Sequence, residues 1–165
     1  MKTLLVLRHA KSSWKDPGVT DHDRPLNSRG KRDAPRIGRM IAGQKVHPDI
    51  ILSSTAKRAW RTAEAISDAV GLPGKDVVLD YRLYLAEPAD IVAVVRDAGS
   101  DARCVLVVGH NPGLEVLVMR LTGHAEPLPT AALAAVHLPM DSWQSLELRA
   151  MGQFQGVWRP RELGL

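Results

Sequence analysis

The 165-residue chain has little cysteine, few aromatics and no long apolar run. Its single cysteine, Cys104, cannot close an intrachain disulfide, and Val105, Leu106, Val107 and Val108 after it mark an apolar strand. Cys104 is therefore expected to be a small core residue, not a nucleophile. Aromatic residues make up 4% of the chain, which leaves few stacking platforms for nucleic acid. No apolar run approaches the roughly 18 residues of a membrane span, and charge interrupts the N-terminal Met1 to His9 stretch too early for a signal peptide. A cytoplasmic protein is expected, without a membrane or nucleic-acid partner. An excess of one charge is also modest: 22 Lys and Arg against 18 Asp and Glu give +4. The pI of about 9.5 invites a nucleic-acid reading, but the basic residues are scattered along the chain.

Hydrophobic residues at 45% and charged residues at 24% are those of a chain that buries a core. The length fits one domain over residues 1–165, without internal repeats or linkers. Apolar runs at Thr3 to Leu7, Asp49 to Leu52, Asp76 to Leu79 and Cys104 to Val108 read as buried parallel strands, with helical periodicity between them. Such alternation predicts an α/β fold, a three-layer α/β/α sandwich around a mostly parallel sheet.

One helix is expected from Ala56 to Val70, capped by Ser54 or Thr55 and ended by Gly71. Another opens at Asn111 as N-cap, with Pro112 in its first turn, and stops at Gly123. A shorter one covers Ile91 to Ala98. The Asn27 to Gly43 stretch is helical in pattern, but Gly30 and Pro35 predict a regular start near Asp33 or a kink. Ala132 to Leu138 and Ser145 to Met151 read as two further strands, and the tail from Gly152 as irregular.

Singly, Arg8, Arg58 and any one histidine have bland readings as surface charge or structural side chains. Their positions alter this. Arg8 and His9 follow the first strand, Arg58 lies in the first turn after the second, and Gly109-His110-Asn111-Pro112-Gly113 follows the fourth. Open α/β sheets bind ligands at such strand ends. Two guanidiniums suit the oxygens of a tetrahedral dianion, and a helix start near Asn111 adds free N–H groups. Metal ligation fits poorly, because His9, His22, His47, His110, His124 and His137 contain no short-spaced ligand pair and paired guanidiniums repel a cation.

Leu5-Val6-Leu7-Arg8-His9-Ala10 resembles the Arg-His-Gly signature of the histidine phosphatase (phosphoglycerate-mutase-like) superfamily, with Ala10 in place of Gly. Ser54 to Thr62 resembles its Ser-x-x-x-Arg-Ala-x-x-Thr element, and Val108 to Pro112 its second histidine element. Arg8 to Trp14 and Asp23-Arg24-Pro25-Leu26-Asn27-x-Arg29-Gly30 resemble SixA-type phosphohistidine phosphatases. The C-terminal part is weakly covered.

The resemblance implies a phosphoglycerate-mutase-like fold and a phosphatase that needs no metal or cofactor. It makes His9 the nucleophile of a covalent phosphohistidine intermediate, with Arg8, Arg58 and His110 holding the phosphoryl oxygens. The two arginines also favour a neutral His9. Glu87, in Leu85-Ala86-Glu87-Pro88, is either a general acid or a carboxylate favoured by a helix start. Lys11 and Trp14 either rim the pocket as substrate contacts or are a solvated lysine and a partly buried tryptophan. Asp23 and Arg24 either pair to order their loop or shape the pocket mouth. The implied substrate is phosphohistidine in a protein. Two alternatives remain: a phosphatase or mutase for a small phosphorylated metabolite, and a noncatalytic phosphate-binding module.

Overall fold

In the computed structural model, which describes residues 1–163, one six-stranded sheet is ordered β3-β2-β4-β1-β5-β6. The strands are β1 (Lys2–Arg8), β2 (Ile50–Ser53), β3 (Val77–Leu79), β4 (Cys104–Gly109), β5 (Leu133–Leu138) and β6 (Gln153–Trp158). Strands β1 to β4 are parallel, whereas β5 runs antiparallel to β1 and β6 antiparallel to β5. Helices α1 (Ser28–Ala42) and α2 (Lys57–Val70) share one apolar cluster with the sheet, and α3 (Pro88–Ala98) and α4 (Gly113–Thr122) share the other.

Strand alternation divides the core. Leu4 and Val6 face the α3 and α4 side with Val105 and Val107, while Leu5 and Leu7 face α1 and α2 with Leu106 and Val108. These positions are buried, at roughly 1.5–3 kcal/mol for each large aliphatic side chain removed from water. The continuous apolar runs in the sequence follow from burial on both faces. Cys104 is fully buried, and burial pushes its thiol up to about 12.

The structure departs from expectation at the start of α1, in the C-terminal strand and at the N-caps of α2 and α4. First, α1 starts at Ser28, not near Asp33, and runs through Pro35. Asn27 caps it by accepting from the Gly30 N–H at 2.9 Å, and Gly30 lies so close to Lys11 that a Cβ would meet its carbonyl oxygen at 2.1 Å. Tertiary contact thus holds the first turn despite its glycine.

Second, Ser145 to Met151 is not a strand, and the tail is not irregular. Leu146 is buried, but Met151 and Gly152 give their N–H groups to the Leu121 carbonyl, so this segment crosses the end of α4. The sixth strand is Gln153–Trp158, an edge strand with a register shift opposite Ala135 and Val136. Its glutamines and glycine weaken the apolar signal.

Third, neither Ser54 nor Thr55 caps α2, whose N-cap is Ala56. Likewise Pro112, not Asn111, is the N-cap of α4.

Candidate active site

The register of the parallel strands assembles the site. Arg8 pairs with Gly109 across β1 and β4, so His9 and His110 emerge side by side, and the His9 N–H bonds the Gly109 carbonyl at 3.1 Å. Ser53 lies opposite Val108, and the Ser54 N–H bonds the Val108 carbonyl at 3.0 Å. The chain leaves β1 toward β2 through α1 and leaves β4 toward β5 through α4, on opposite faces of the sheet. Such divergence opens a crevice at the carboxyl ends of neighbouring strands.

The two imidazoles are 5.1 Å apart between centroids and are almost fully buried. His9 Nδ1 lies 2.7 Å from the Ala10 carbonyl oxygen. A carbonyl can only accept, so Nδ1 carries the proton and Nε2 keeps its lone pair in the neutral ring. Arg58 Nη2 is 3.5 Å from His110 Nδ1, and a guanidinium only donates. His110 therefore carries its proton on Nε2 and donates to Ser54 Oγ at 2.8 Å. Burial lowers His9 to about 4, helped by the charges of Arg58, Arg8 and Arg24 and opposed by the Ala10 bond. Burial first, then His9 and Arg58, lowers His110 to about 3. Both rings are neutral at pH 7.

Arg58 is 3% exposed in a helix's first turn. Its Nη1 donates to the Asp21 carbonyl at 2.6 Å and its Nη2 to the Asp21 carboxylate at 3.0 Å. Tyr84 Oη and Arg24 Nε donate to the same carboxylate. These bonds, that of Tyr84 foremost, hold Asp21 down to about 2. On the other side, Arg8 Nη1 reaches the Leu128 carbonyl at 3.2 Å. Burial lowers the Arg8 pKa and the Glu115 charge opposes this. The Nε–H groups of Arg8 and Arg58 are buried without a partner among the described residues. Buried donors of this kind are rare unless a ligand or water satisfies them, and two positive ones suit an oxyanion.

The Ser54 to Thr62 element links the second histidine, the sheet and the turn after His9. Ser54 Oγ accepts from both His110 and the Ala56 N–H. Ala59 is fully buried against the sheet. Thr62 Oγ1 donates to the Arg58 carbonyl at 2.7 Å and accepts from the Ala10 N–H at 3.0 Å, tying α2 to the turn after His9.

Arg8, His9, Arg58 and His110 are thus brought together. Glu87 is exposed at the N-cap of α3, where its N–H bonds the Asp90 carboxylate, and no hydrogen bond links it to those four. The neighbouring Ala86 carbonyl lies where a Cβ on Gly113 would stand, so α3 starts close to the second histidine loop. Lys11 is half-buried. Trp14 is 73% exposed rather than partly buried. Arg24 pairs with Asp21, not Asp23, because a tight turn over Asp21–Asp23 puts residues three apart on one side. Sequence reading missed Asp21, Tyr84, Glu115 and the Leu128 peptide. Their only local signal was a carboxylate three residues before a buried arginine.

A model of the histidine phosphatase superfamily (branch 1) matches residues 4–84. The chain is 32% identical over 154 residues to an uncharacterised protein of Mycobacterium tuberculosis, covering 86% of this chain and 92% of that one. It is 28% identical to the phosphohistidine phosphatase SixA of Escherichia coli over 138 residues, 82% of this chain and 84% of SixA. A solved structure of the protein histidine phosphatase SixA complexed with tungstate superposes with a TM-score of 0.82 at 25% identity, covering 98% and 99% of the two chains. The chain belongs to the histidine phosphatase superfamily and is a phosphatase, a hydrolase, with a SixA-like α/β fold. No helix among the described residues is long and apolar enough to cross a membrane.

Proposed function

We propose that this phosphatase hydrolyses phosphohistidine in a protein through a covalent phosphoryl group on His9. The observation that carries the reading is the His9 ring: buried, neutral, fixed by Ala10 through Nδ1, and flanked by Arg8, Arg58 and His110. Its Nε2 lone pair attacks phosphorus in line. The bond from phosphorus to the substrate imidazole breaks, and the electron pair leaves with that ring, which takes a proton from solvent. Water then attacks the phosphoryl group on His9, the P–N bond breaks, its electron pair returns to Nε2, and inorganic phosphate leaves. Arg8, Arg58 and His110 hold the equatorial oxygens, where charge lies in the transition state. Lys11 and Trp14 contact the substrate from the rim. No step draws on a metal or cofactor.

The one carboxylate among the described residues that is hydrogen-bonded to any of the four pocket residues suits a P–N substrate better than a P–O one. Asp21 is the carboxylate bonded to Arg58 and, at about 2, stays ionised at neutral pH. It cannot protonate a leaving alkoxide. An imidazole leaving group is easily protonated by solvent, so its loss tolerates a site whose bonded carboxylate is always charged. Glu87 is the candidate acid for ester substrates. SixA, by name a phosphohistidine phosphatase, points the same way, and tungstate is a tetrahedral oxyanion.

The test compares a peptide phosphorylated on histidine with phosphoramidate and an alkyl phosphate. The expected kcat/KM is at least about tenfold higher for the phosphohistidine peptide. A preference for the alkyl phosphate overturns the reading in favour of a small-metabolite phosphatase.

A further inference from the structure

We infer that a basic face beside the active site docks an acidic stretch of the phosphoprotein substrate, an inference that rests on the phosphohistidine reading. A groove of about 720 Å³ runs between the segment after His9 and the start of α1. Its charged lining is Lys11, Lys15, Arg29, Lys31 and Arg32, without a carboxylate. A second groove of about 430 Å³ continues from it, sharing Arg29 and Arg32 and adding Arg36, Arg159 and Arg161. Its one carboxylate, Asp33, is buried with Arg29 at 3.7 Å and Arg36 at 3.5 Å. Eight of the 22 basic side chains thus line this face, where Asp33 pairs with Arg29 and Arg36 and where Glu126 and Glu162 each pair with Arg159 at 3.2 Å, leaving 14 basic against 15 acidic side chains elsewhere. Residues scattered in sequence form one electropositive surface, with Lys11, Lys15, Lys31, Arg32 and Arg161 in no ion pair among the described residues, on a molecule whose remaining charge is nearly balanced.

Both grooves adjoin the catalytic loops. Lys11 stands two residues after His9. Arg29 donates to Thr130 Oγ1 at 3.0 Å, and the next residue, Ala131, gives its N–H to the carbonyls of Arg8 and His9. At the groove's edge Trp14 is exposed, while its inner face stacks on the Arg24 guanidinium, 3.5 Å from the ring centroid. Arg24 is itself buried and held by Ser12 Oγ at 2.7 Å and Asp21 at 3.2 Å. A rigid indole beside unpaired cations is the composition of an interface anchor. The side chains of Arg32 and Arg161 are exposed and make no hydrogen bond or ion pair among the described residues. Charge complementarity selects an acidic partner. Trp14 is the one aromatic lining either groove, and single-stranded nucleic acid calls for successive stacking platforms, so an acidic polypeptide fits better.

The test uses two histidine peptides phosphorylated with phosphoramidate, alike except that one has Asp and Glu around the histidine and the other Gln and Ser. The wild-type enzyme is expected to favour the acidic peptide by about tenfold in kcat/KM at low salt, through KM, and to lose the preference near 0.5 M salt. The double variant Arg32→Glu, Arg161→Glu is expected to abolish the preference while hydrolysing the neutral peptide at the wild-type rate. Equal kcat/KM for the two peptides, or a preference that survives the double variant, overturns the inference. If the wild type hydrolyses an alkyl phosphate but neither peptide, the phosphohistidine reading fails by itself. Docking is then read from the anisotropy of a labelled unphosphorylated acidic peptide. Binding by wild type that the double variant loses sustains the surface, and no binding overturns it. Tighter binding of a single-stranded DNA oligonucleotide at the same salt also overturns it.

Discussion

His9 and His110 sit where burial and neighbouring guanidiniums oppose a positive ring, and this has a thermodynamic consequence. In the unfolded chain an imidazole takes a proton near 6.5, whereas the folded values are about 4 and about 3. Between these limits the unfolded state holds more protons, so stability rises with pH and is lost as pH falls below about 6.5. Asp21, held at about 2, acts lower: its contribution is present above its ordinary 3.8 and disappears as pH falls toward 2. Urea unfolding at pH 7 and pH 4.5 is expected to differ by a few kcal/mol, of order 1.4 kcal/mol per pKa unit for each ring. His9→Gln and His110→Gln each shrink that difference, and equal stability of the wild type at both pH values contradicts the burial argument. Glu87 gives a second prediction. Glu87→Gln slows hydrolysis of an alkyl phosphate about tenfold and leaves nitrophenyl phosphate near the wild-type rate, since nitrophenolate needs little acid. Unchanged rates for both esters remove Glu87 from the chemistry. Arg8, His9, Arg58 and His110 were legible in sequence because each follows an apolar strand that marks its place. Asp21 and Tyr84 were not, because they reach Arg58 from loops whose paths no local pattern encodes.

At the scale of elements, the active-site rim depends on how closely α1 approaches the turn after His9. The Asn27 N–H bonds the Lys11 carbonyl at 2.9 Å, Ser12 bridges to Leu26, and Gly30 packs on the Lys11 backbone. A methyl group at residue 30 has no flexible neighbour to displace, only the Lys11 carbonyl at 2.1 Å. Gly30→Ala is therefore expected to destabilise the protein by about 1–3 kcal/mol in urea unfolding, and to lower kcat/KM by shifting Lys11 and Trp14. Wild-type stability in this variant refutes the close approach. The buried strands and amphipathic helices were readable from period alone. The early start of α1 was hidden because a tertiary contact outweighs the local cost of glycine. Strand β6 was missed because an edge strand with one half-wet face carries a faint apolar signal, while the buried Leu146 beside it belongs to a crossing segment.

Across the whole molecule, the modest +4 conceals an uneven distribution. The meaningful cations divide between a pocket built on Arg8 and Arg58 and a face carried by α1 and the C-terminal turn. Sequence order disperses that face over residues 11 to 161, so its existence depends on the fold. On the proposed reading the pocket supplies the chemistry and the face supplies reach toward a partner, and both lie at the carboxyl end of β1. The account turns on phosphoryl transfer to His9. Brief incubation with a labelled phosphoryl donor, followed by an alkaline quench that preserves phosphohistidine, reads that step directly. The account predicts acid-labile, alkali-stable label on the wild-type chain and none on His9→Ala. An unlabelled wild type, or equal label on both, contradicts it.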